Sequence, residues 1–167
     1  MVRTTAGYGR SSGSRSPRGA RLIEETDLYS DALPCLRAVD ERGLVVGIAG
    51  NQPVGVEAQL RAAGFSPDFL ASSAAWGVEK PSPEFFDRVV AEAGLEPGAI
   101  LYVGDRLDND VLPARAAGMR TAFIRRGPWG HLHAERPEAR LADLRLKTLA
   151  ELTDAMVAGV GSGLTRG

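Results

Sequence analysis

Three aspartates lie close together in one short stretch of the chain, because Asp105, Asp108 and Asp110 all fall within LYVGDRLDND, residues 101–110. Two carboxylates about 4 Å apart repel by ~4 kcal/mol at an effective dielectric constant of 20, so the stretch needs a cation or hydrogen-bond donors beside it. A bound Mg²⁺ would compensate this repulsion, and it is typically held by one or two carboxylates together with waters and a substrate phosphate. Helix capping is the alternative, with Asp105 or Asp108 capping the next helix and Asp110 favouring its dipole. The spacing alone leaves both interpretations open.

Two further stretches could take part in the same chemistry. Lys80 lies in the proline-bounded segment WGVEKPSPEFF, where its ammonium could balance carboxylates and hold a phosphate, although exposed lysines before helices are common. The loop GIAGNQP holds Gly50 and Asn51 and is small enough for backbone N–H groups to approach an anion. A tight turn would account for the same residues.

These candidates depend on an alternation of strands and helices that would position them. Apolar runs predict buried strands in LVVGIAG, DFLASS, AILYVG and RTAFI. Helical spacing and capping signals predict helices in SDALPCLRAVDERG, PVGVEAQLRAAG, SPEFFDRVVAEAG, NDVLPARAAG and TLAELTDAM. This order predicts an α/β fold, a three-layer sandwich with a mostly parallel, Rossmann-like sheet. In such sheets ligands bind beyond the carboxyl ends of the strands, where the aspartates follow AILYVG.

Composition limits the function classes. The chain has 167 residues, 44% of them hydrophobic and 25% charged, which suits one globular domain. A net charge of -1 gives no general attraction to nucleic acid or anionic lipid. No apolar run approaches the ~20 residues of a membrane span, and a single Cys35 can form no internal disulfide. We therefore expect a soluble cytoplasmic protein without nucleic-acid or membrane partners, in which Cys35 is a small buried hydrophobe.

The chain divides into a core and two tails. Residues 1–21 are rich in Gly, Ser and Arg and show no periodicity, so we expect a disordered tail. Residues 22–157 form the predicted core, and residues 158–167 a flexible C-terminal tail. His131 and His133 fall in a Pro/Gly-rich stretch without the further ligands that zinc needs, so we predict structural roles for them.

Taken in order, the three stretches resemble the haloacid dehalogenase (HAD) superfamily of hydrolases, most of which are Mg²⁺-dependent phosphatases. LVVGIAGNQ is similar to that family's second motif, EKPSPEFF to its third and YVGDRLDNDVLPARAAGM to its fourth, within residues 28–157. The resemblance implies that Asp105 binds Mg²⁺ directly and that Asp110 is a second or water-mediated ligand. It also implies a catalytic Lys80 that steadies nucleophile and phosphate, a phosphate site formed by Gly50, Asn51 and Lys80, and a small phosphorylated substrate.

Two departures from the family pattern bear on activity. The second motif should carry Ser or Thr before Asn51, where this chain has Gly50. The first motif is a DxD pair whose first aspartate attacks phosphorus and whose second protonates the leaving group, and residues 1–28 contain only Glu24, Glu25 and Asp27 as acids. Without that pair we expect turnover to fall by several orders of magnitude.

The absent motif also has an architectural consequence. In the family its strand lies at the centre of the sheet, between the strands that correspond to LVVGIA and AILYVG. We therefore expect an incomplete sheet, with a gap of ~10 Å or direct pairing of those two strands.

The resemblance leaves three explanations for the absent motif. The chain is a shortened product of a larger hydrolase, which also lacks the helical cap, or it is an inactive protein that binds metal or phosphate. The third explanation is that a strand from another chain completes the site, for instance in a homo-oligomer. We favour the first. A nucleotide-binding module is a further alternative, although GIAGNQPVG is not the GxGxxG pattern.

Overall fold

The computed structural model describes residues 2–3 and 29–157. Within them six parallel strands form one sheet in the order β3-β2-β1-β4-β5-β6. The strands are β1 (Val2–Arg3), β2 (Gly47–Gly50), β3 (Phe69–Ser72), β4 (Leu101–Gly104), β5 (Arg120–Ile124) and β6 (Leu144–Leu146). The helices are α1 (Ala32–Asp40), α2 (Val56–Ala62), α3 (Ser73–Trp76), α4 (Pro83–Ala93), α5 (Leu112–Ala116), α6 (Gly127–Ala134) and α7 (Ala150–Val157). Short 3₁₀ turns span Pro97–Ala99 and Pro137–Leu141, and a π-helical turn spans Leu107–Val111.

Helices cover both faces of the sheet and confirm the predicted three-layer α/β fold. On one face, α1, α2 and α7 pack on residues such as Ile48 and Val103. On the other face, α4 and α5 pack on the neighbouring positions, such as Ala49 and Tyr102. Consecutive strand residues thus enter opposite cores, which explains why these strands are apolar throughout and do not alternate with polar residues. Cys35 is 2% exposed on α1 and confirms its prediction as a buried hydrophobe.

The centre of the sheet corrects the sequence analysis. We expected no strand before residue 28, and either a gap between β2 and β4 or direct pairing of these two strands. Instead β1 lies between them, with Val2 opposite Gly47 and Tyr102 in the register. A strand of two residues has no periodicity to recognise, because it is defined by pairing with two neighbours distant in sequence. The rest of the predicted tails, which is residue 1 together with residues 4–21 and 158–167, lies outside the described residues.

A helix and a strand near the C-terminal end were also missed. The Pro/Gly-rich stretch GPWGHLHA, for which we predicted no helix, forms α6 with a proline in its first turn, where proline is tolerated. Its glycines and proline concealed the helix from the periodicity of apolar residues. At the sheet edge, β6 has only three residues and pairs with β5.

None of the helices in the described residues is both long enough and apolar enough to cross a bilayer.

The packing of β2 against β3 yields a test of the fold. A Cβ atom added at Gly47 would lie 2.1 Å from Cζ of the Phe69 ring. We expect Gly47→Ala to lower the free energy of unfolding by about 1–3 kcal/mol, because overpacking forces the core to shift. Urea denaturation measures the change. Gly98→Ala is the control, since a Cβ there meets nothing within 4 Å, and equal effects of the two substitutions would contradict the contact.

Candidate active site

A buried ion pair joins two of the candidate residues. The Lys80 Nζ atom lies 2.6 Å from Oδ1 of Asp110, and the two side chains are 3% and 2% exposed. Lys80 precedes α4, whereas Asp110 lies in the π-helical turn after β4, 30 residues later. The fold therefore brings the predicted lysine and the second predicted metal ligand into direct contact.

Asn51 holds the backbone on which Lys80 is carried. Its side-chain Nδ2 donates to the Lys80 carbonyl at 2.9 Å, and its Oδ1 accepts from the Lys80 N–H at 2.8 Å. These two bonds link the loop after β2 to the segment before α4. The Asn51 side chain thus positions Lys80, and the roles predicted for Gly50 and Asn51 in phosphate binding stay predictions.

Asp105 directly follows β4 and is 5% exposed. Its Oδ2 atom is buried and has no hydrogen-bond partner among the described residues. Burial, and then the charge of Asp110, raise the pKa of Asp105 to about 6, against smaller opposing contributions that include Lys80. The site therefore contains a buried carboxylate oxygen for which the described protein atoms offer no donor.

Local backbone geometry brings Asp110 close to the end of β4. The Val111 N–H donates to the Arg106 carbonyl at 3.1 Å, a bond that spans five residues. Oδ2 of Asp110 in turn accepts from the Arg106 N–H at 3.1 Å. A Cβ atom at Gly104 would lie 2.3 Å from Cβ of Asp110, so the approach requires glycine there. Turns of this π type are frequent at functional sites.

The capping alternative for Asp105 and Asp108 is wrong in this structure. Neither the π-helical turn nor α5 receives a side-chain cap. Asp108 binds Arg106, with its Oδ2 2.7 Å from Nη2 and its side chain 52% exposed. That hydrogen bond lowers the pKa of Asp108. Asp105 and Asp110 are therefore the two buried aspartates of the stretch, and their predicted roles as metal ligands stay predictions.

His133 and Trp129 approach the same turn from α6. His133 is 1% exposed, and its Nδ1 accepts a hydrogen bond from the Leu107 N–H at 2.9 Å. Burial lowers the pKa of His133, which favours the neutral ring that this bond requires. The Trp129 ring lies 5.6 Å from the His133 ring and 4.6 Å from the Arg106 guanidinium carbon. The sequence contained a weak signal for this contact, the HxH pair, but no indication of its partner.

The donor set suits a metal that takes few protein ligands. Residues 2–3 and 29–157 contain no group of three or more His, Cys, Asp or Glu side chains placed around one point. A structural zinc site would need four such ligands. Mg²⁺ keeps several waters and uses one or two carboxylates, so the unpartnered oxygen of Asp105 fits it.

Comparison with known proteins agrees with this arrangement. The family described as HAD-hydrolase-like matches residues 78–152, which include Lys80, Asp105 and Asp110. The glyceraldehyde 3-phosphate phosphatase of Methanopyrus kandleri is 33% identical over 131 residues, which cover 77% of this chain and 56% of that protein. The crystal structure of a HAD phosphatase from Thermococcus onnurineus superposes with a TM-score of 0.68 at 28% identity, covering 83% of this chain and 60% of that one.

The chain belongs to the haloacid dehalogenase superfamily. The phosphoserine phosphatase of Thermus thermophilus is also similar. It is 34% identical over 131 residues, which cover 74% of this chain and 51% of that enzyme. The chain thus spans about half the length of the curated proteins it matches.

The raised pKa of Asp105 predicts a pH-dependent stability. Because the folded protein binds this proton more tightly than the unfolded chain, the free energy of unfolding falls as pH rises from about 4 through 6. A rise in pKa of this size corresponds to a change of about 3 kcal/mol in the free energy of unfolding. In EDTA at pH 7.5, Asp105→Asn should therefore unfold at higher urea than the wild type, and the difference should shrink toward pH 4.

Asp108→Asn is the matched control for that experiment. The pKa of Asp108 is lowered, so its carboxylate favours the folded state at neutral pH and its removal should not stabilise the protein. A neutral-pH stability of Asp105→Asn below that of the wild type would contradict the buried, unpartnered carboxylate.

The Lys80–Asp110 pair predicts a strong coupling. Lys80→Met leaves the Asp110 carboxylate buried without its cation and should lower the free energy of unfolding by about 3–5 kcal/mol. The double variant Lys80→Met/Asp110→Asn should recover most of that loss, because no uncompensated charge remains. Urea denaturation of the wild type, both single variants and the double variant measures the coupling, and purely additive effects would disprove it.

Proposed function

We propose that residues 29–157 supply the metal-binding and phosphate-binding half of a phosphatase site that hydrolyses small phosphate monoesters. One observation carries this proposal: the unpartnered oxygen of Asp105 lies at the same strand edge as the buried Lys80–Asp110 pair. Such a site offers an oxygen ligand to a cation and an ammonium beside it. A phosphoryl group bound to Mg²⁺ needs both.

In this proposal Asp105 is the direct Mg²⁺ ligand. Asp110 acts through water and through its bond to Lys80, since its two oxygens already accept hydrogen bonds from Lys80 and Arg106. When bound, Mg²⁺ would neutralise charge on the phosphoryl oxygens and polarise the phosphorus for attack. Asn51 keeps Lys80 in place through its two backbone bonds.

Phosphate would be held by Lys80 together with backbone N–H groups of the loop at Gly50 and Asn51. Gly50 offers no hydroxyl donor, so a larger share of the binding rests on charge. The names of two relatives, glyceraldehyde 3-phosphate phosphatase and phosphoserine phosphatase, support a small phosphorylated substrate as the class.

A second candidate, binding of metal and phosphate without turnover, is favoured by the sequence around β1. In the family the nucleophile-bearing strand lies at the place that Val2 and Arg3 occupy, between β2 and β4. The next residues in the sequence are Thr4 and Thr5, and residues 1–28 contain no DxD pair. We therefore expect this chain to bind both ligands and to hydrolyse esters slowly when assayed by itself.

Calorimetric titration tests the binding function. Mg²⁺ is added first and orthophosphate second, at pH 7.5, to the wild type, Asp105→Asn and Asp108→Asn. We expect saturable Mg²⁺ binding by the wild type and Asp108→Asn, and a loss of at least about tenfold in Asp105→Asn, because it removes the direct ligand. Absence of Mg²⁺ binding by the wild type would refute the proposed function.

Hydrolysis of p-nitrophenyl phosphate with Mg²⁺ tests for turnover by this chain in the same samples. We expect a rate close to that of the uncatalysed reaction. Brisk hydrolysis that Asp105→Asn abolishes would show instead that the chain supplies its own nucleophile. Tight dinucleotide binding without Mg²⁺ would favour the nucleotide-binding alternative.

A further inference from the structure

His133 satisfies a backbone donor that the acid turn cannot satisfy by itself. We define the acid turn as residues 105–110, which carry Asp105 and Asp110. The N–H groups of the first helical residues have no intrahelical acceptor, and Leu107 begins the π-helical turn. Its N–H instead donates to Nδ1 of His133 at 2.9 Å. The neutral imidazole has a single acceptor nitrogen, and this bond uses it.

The contact is buried and specific. His133 is 1% exposed, in a position where an apolar side chain would serve if packing alone were needed. A buried imidazole is favourable only where its polar atoms are paired. The histidine therefore contributes an acceptor at this position in addition to volume.

A second set of contacts links Arg106 in the acid turn to α6. The Trp129 ring packs against the His133 ring and lies under the Arg106 guanidinium. Arg106 binds Asp108 with two hydrogen bonds. These exposed contacts are individually weak, so the buried Leu107–His133 bond is the stronger tie between α6 and the turn.

Two buried bonds therefore tie the acid turn to other parts of the fold. Lys80 binds Asp110 near the end of the turn, and His133 binds Leu107, which lies two residues after Asp105. Asp105 lies between β4 and Leu107, and its own Oδ2 makes no bond to a described residue. Because no described donor holds Oδ2, the position of Asp105 in the site depends on the backbone on either side of it.

We propose that His133 is a positioning residue that holds the acid turn in the conformation in which Asp105 and Asp110 face the same site. It acts through the Leu107 N–H and does not touch the reacting groups. The proposal rests on the metal-binding role proposed above for Asp105, but its geometric part can be tested without metal.

A pair of variants of similar shape separates the acceptor from the packing. His133→Asn keeps an oxygen at the position of Nδ1, whereas His133→Leu has nearly the same shape and no acceptor. Amide hydrogen exchange, followed by NMR in EDTA, reports on the turn directly. We expect the Leu107 and Val111 amides to exchange at least about tenfold faster in His133→Leu, and within about threefold of the wild type in His133→Asn.

Mg²⁺ titration provides the functional readout. Loss of a partner that orients a metal ligand typically weakens binding 10- to 100-fold, so we expect at least about a tenfold higher Kd for His133→Leu. His133→Asn should stay within about threefold of the wild type. Val39→Ala, on the buried face of α1, is the control for a general loss of stability and should leave the Mg²⁺ Kd unchanged.

The outcomes distinguish the two proposals. If the Leu107 and Val111 amides exchange alike in His133→Leu and His133→Asn, or if His133→Leu binds Mg²⁺ as tightly as the wild type, the positioning role is refuted. If the wild type binds no Mg²⁺, the proposed function fails, and the exchange rates alone decide whether His133 holds the turn.

Discussion

The ion pair between Lys80 and Asp110 is the constraint on which the site depends. Removing both charges from water costs several kcal/mol per ion, and their attraction offsets this only when geometry and further hydrogen bonds are good. The structure meets these conditions on both sides. Asn51 fixes the Lys80 backbone, and Gly104 and the Arg106 N–H allow Asp110 to approach and satisfy its second oxygen. The loop after β2, the segment before α4 and the turn after β4 are thereby held at one strand edge.

Much of the fold could be predicted because its signals are local. The strand AILYVG is apolar on both faces, and Gly94 ends α4 with φ at +63°, the left-handed conformation that glycine adopts readily. The features that escaped prediction are non-local. Two-residue β1 exists through its pairing with β2 and β4, and α6 contains glycines and a proline that conceal its periodicity. No pattern within Val2 and Arg3 could have indicated the centre of a sheet.

The site itself was predictable in its residue types more than in its geometry. Spacing and the family resemblance together singled out Lys80, Asp105 and Asp110. Spacing alone could not separate Asp108 from its neighbours, because that depends on the extra residue in the π-helical turn, which no propensity scale anticipates. The role of His133 could not be predicted for a similar reason. Its partner is the backbone N–H of Leu107, 26 residues away, and every residue except proline has such a group, so the sequence does not indicate which one is bound.

The charges at the strand edge connect stability with the proposed function. Lys80 compensates Asp110, which leaves the buried carboxylate of Asp105 as an excess negative charge. In the protein without metal this charge is unfavourable, as the raised pKa of Asp105 indicates. The same excess repels a phosphate dianion, so on the proposed function a divalent cation must bind before the phosphate does. Because Gly50 provides no hydroxyl to bind phosphate, this order is more strictly required here than at a site with that donor. The cation that binds Asp105 offsets the unfavourable burial of its charge, and it therefore also stabilises the folded protein by mass action.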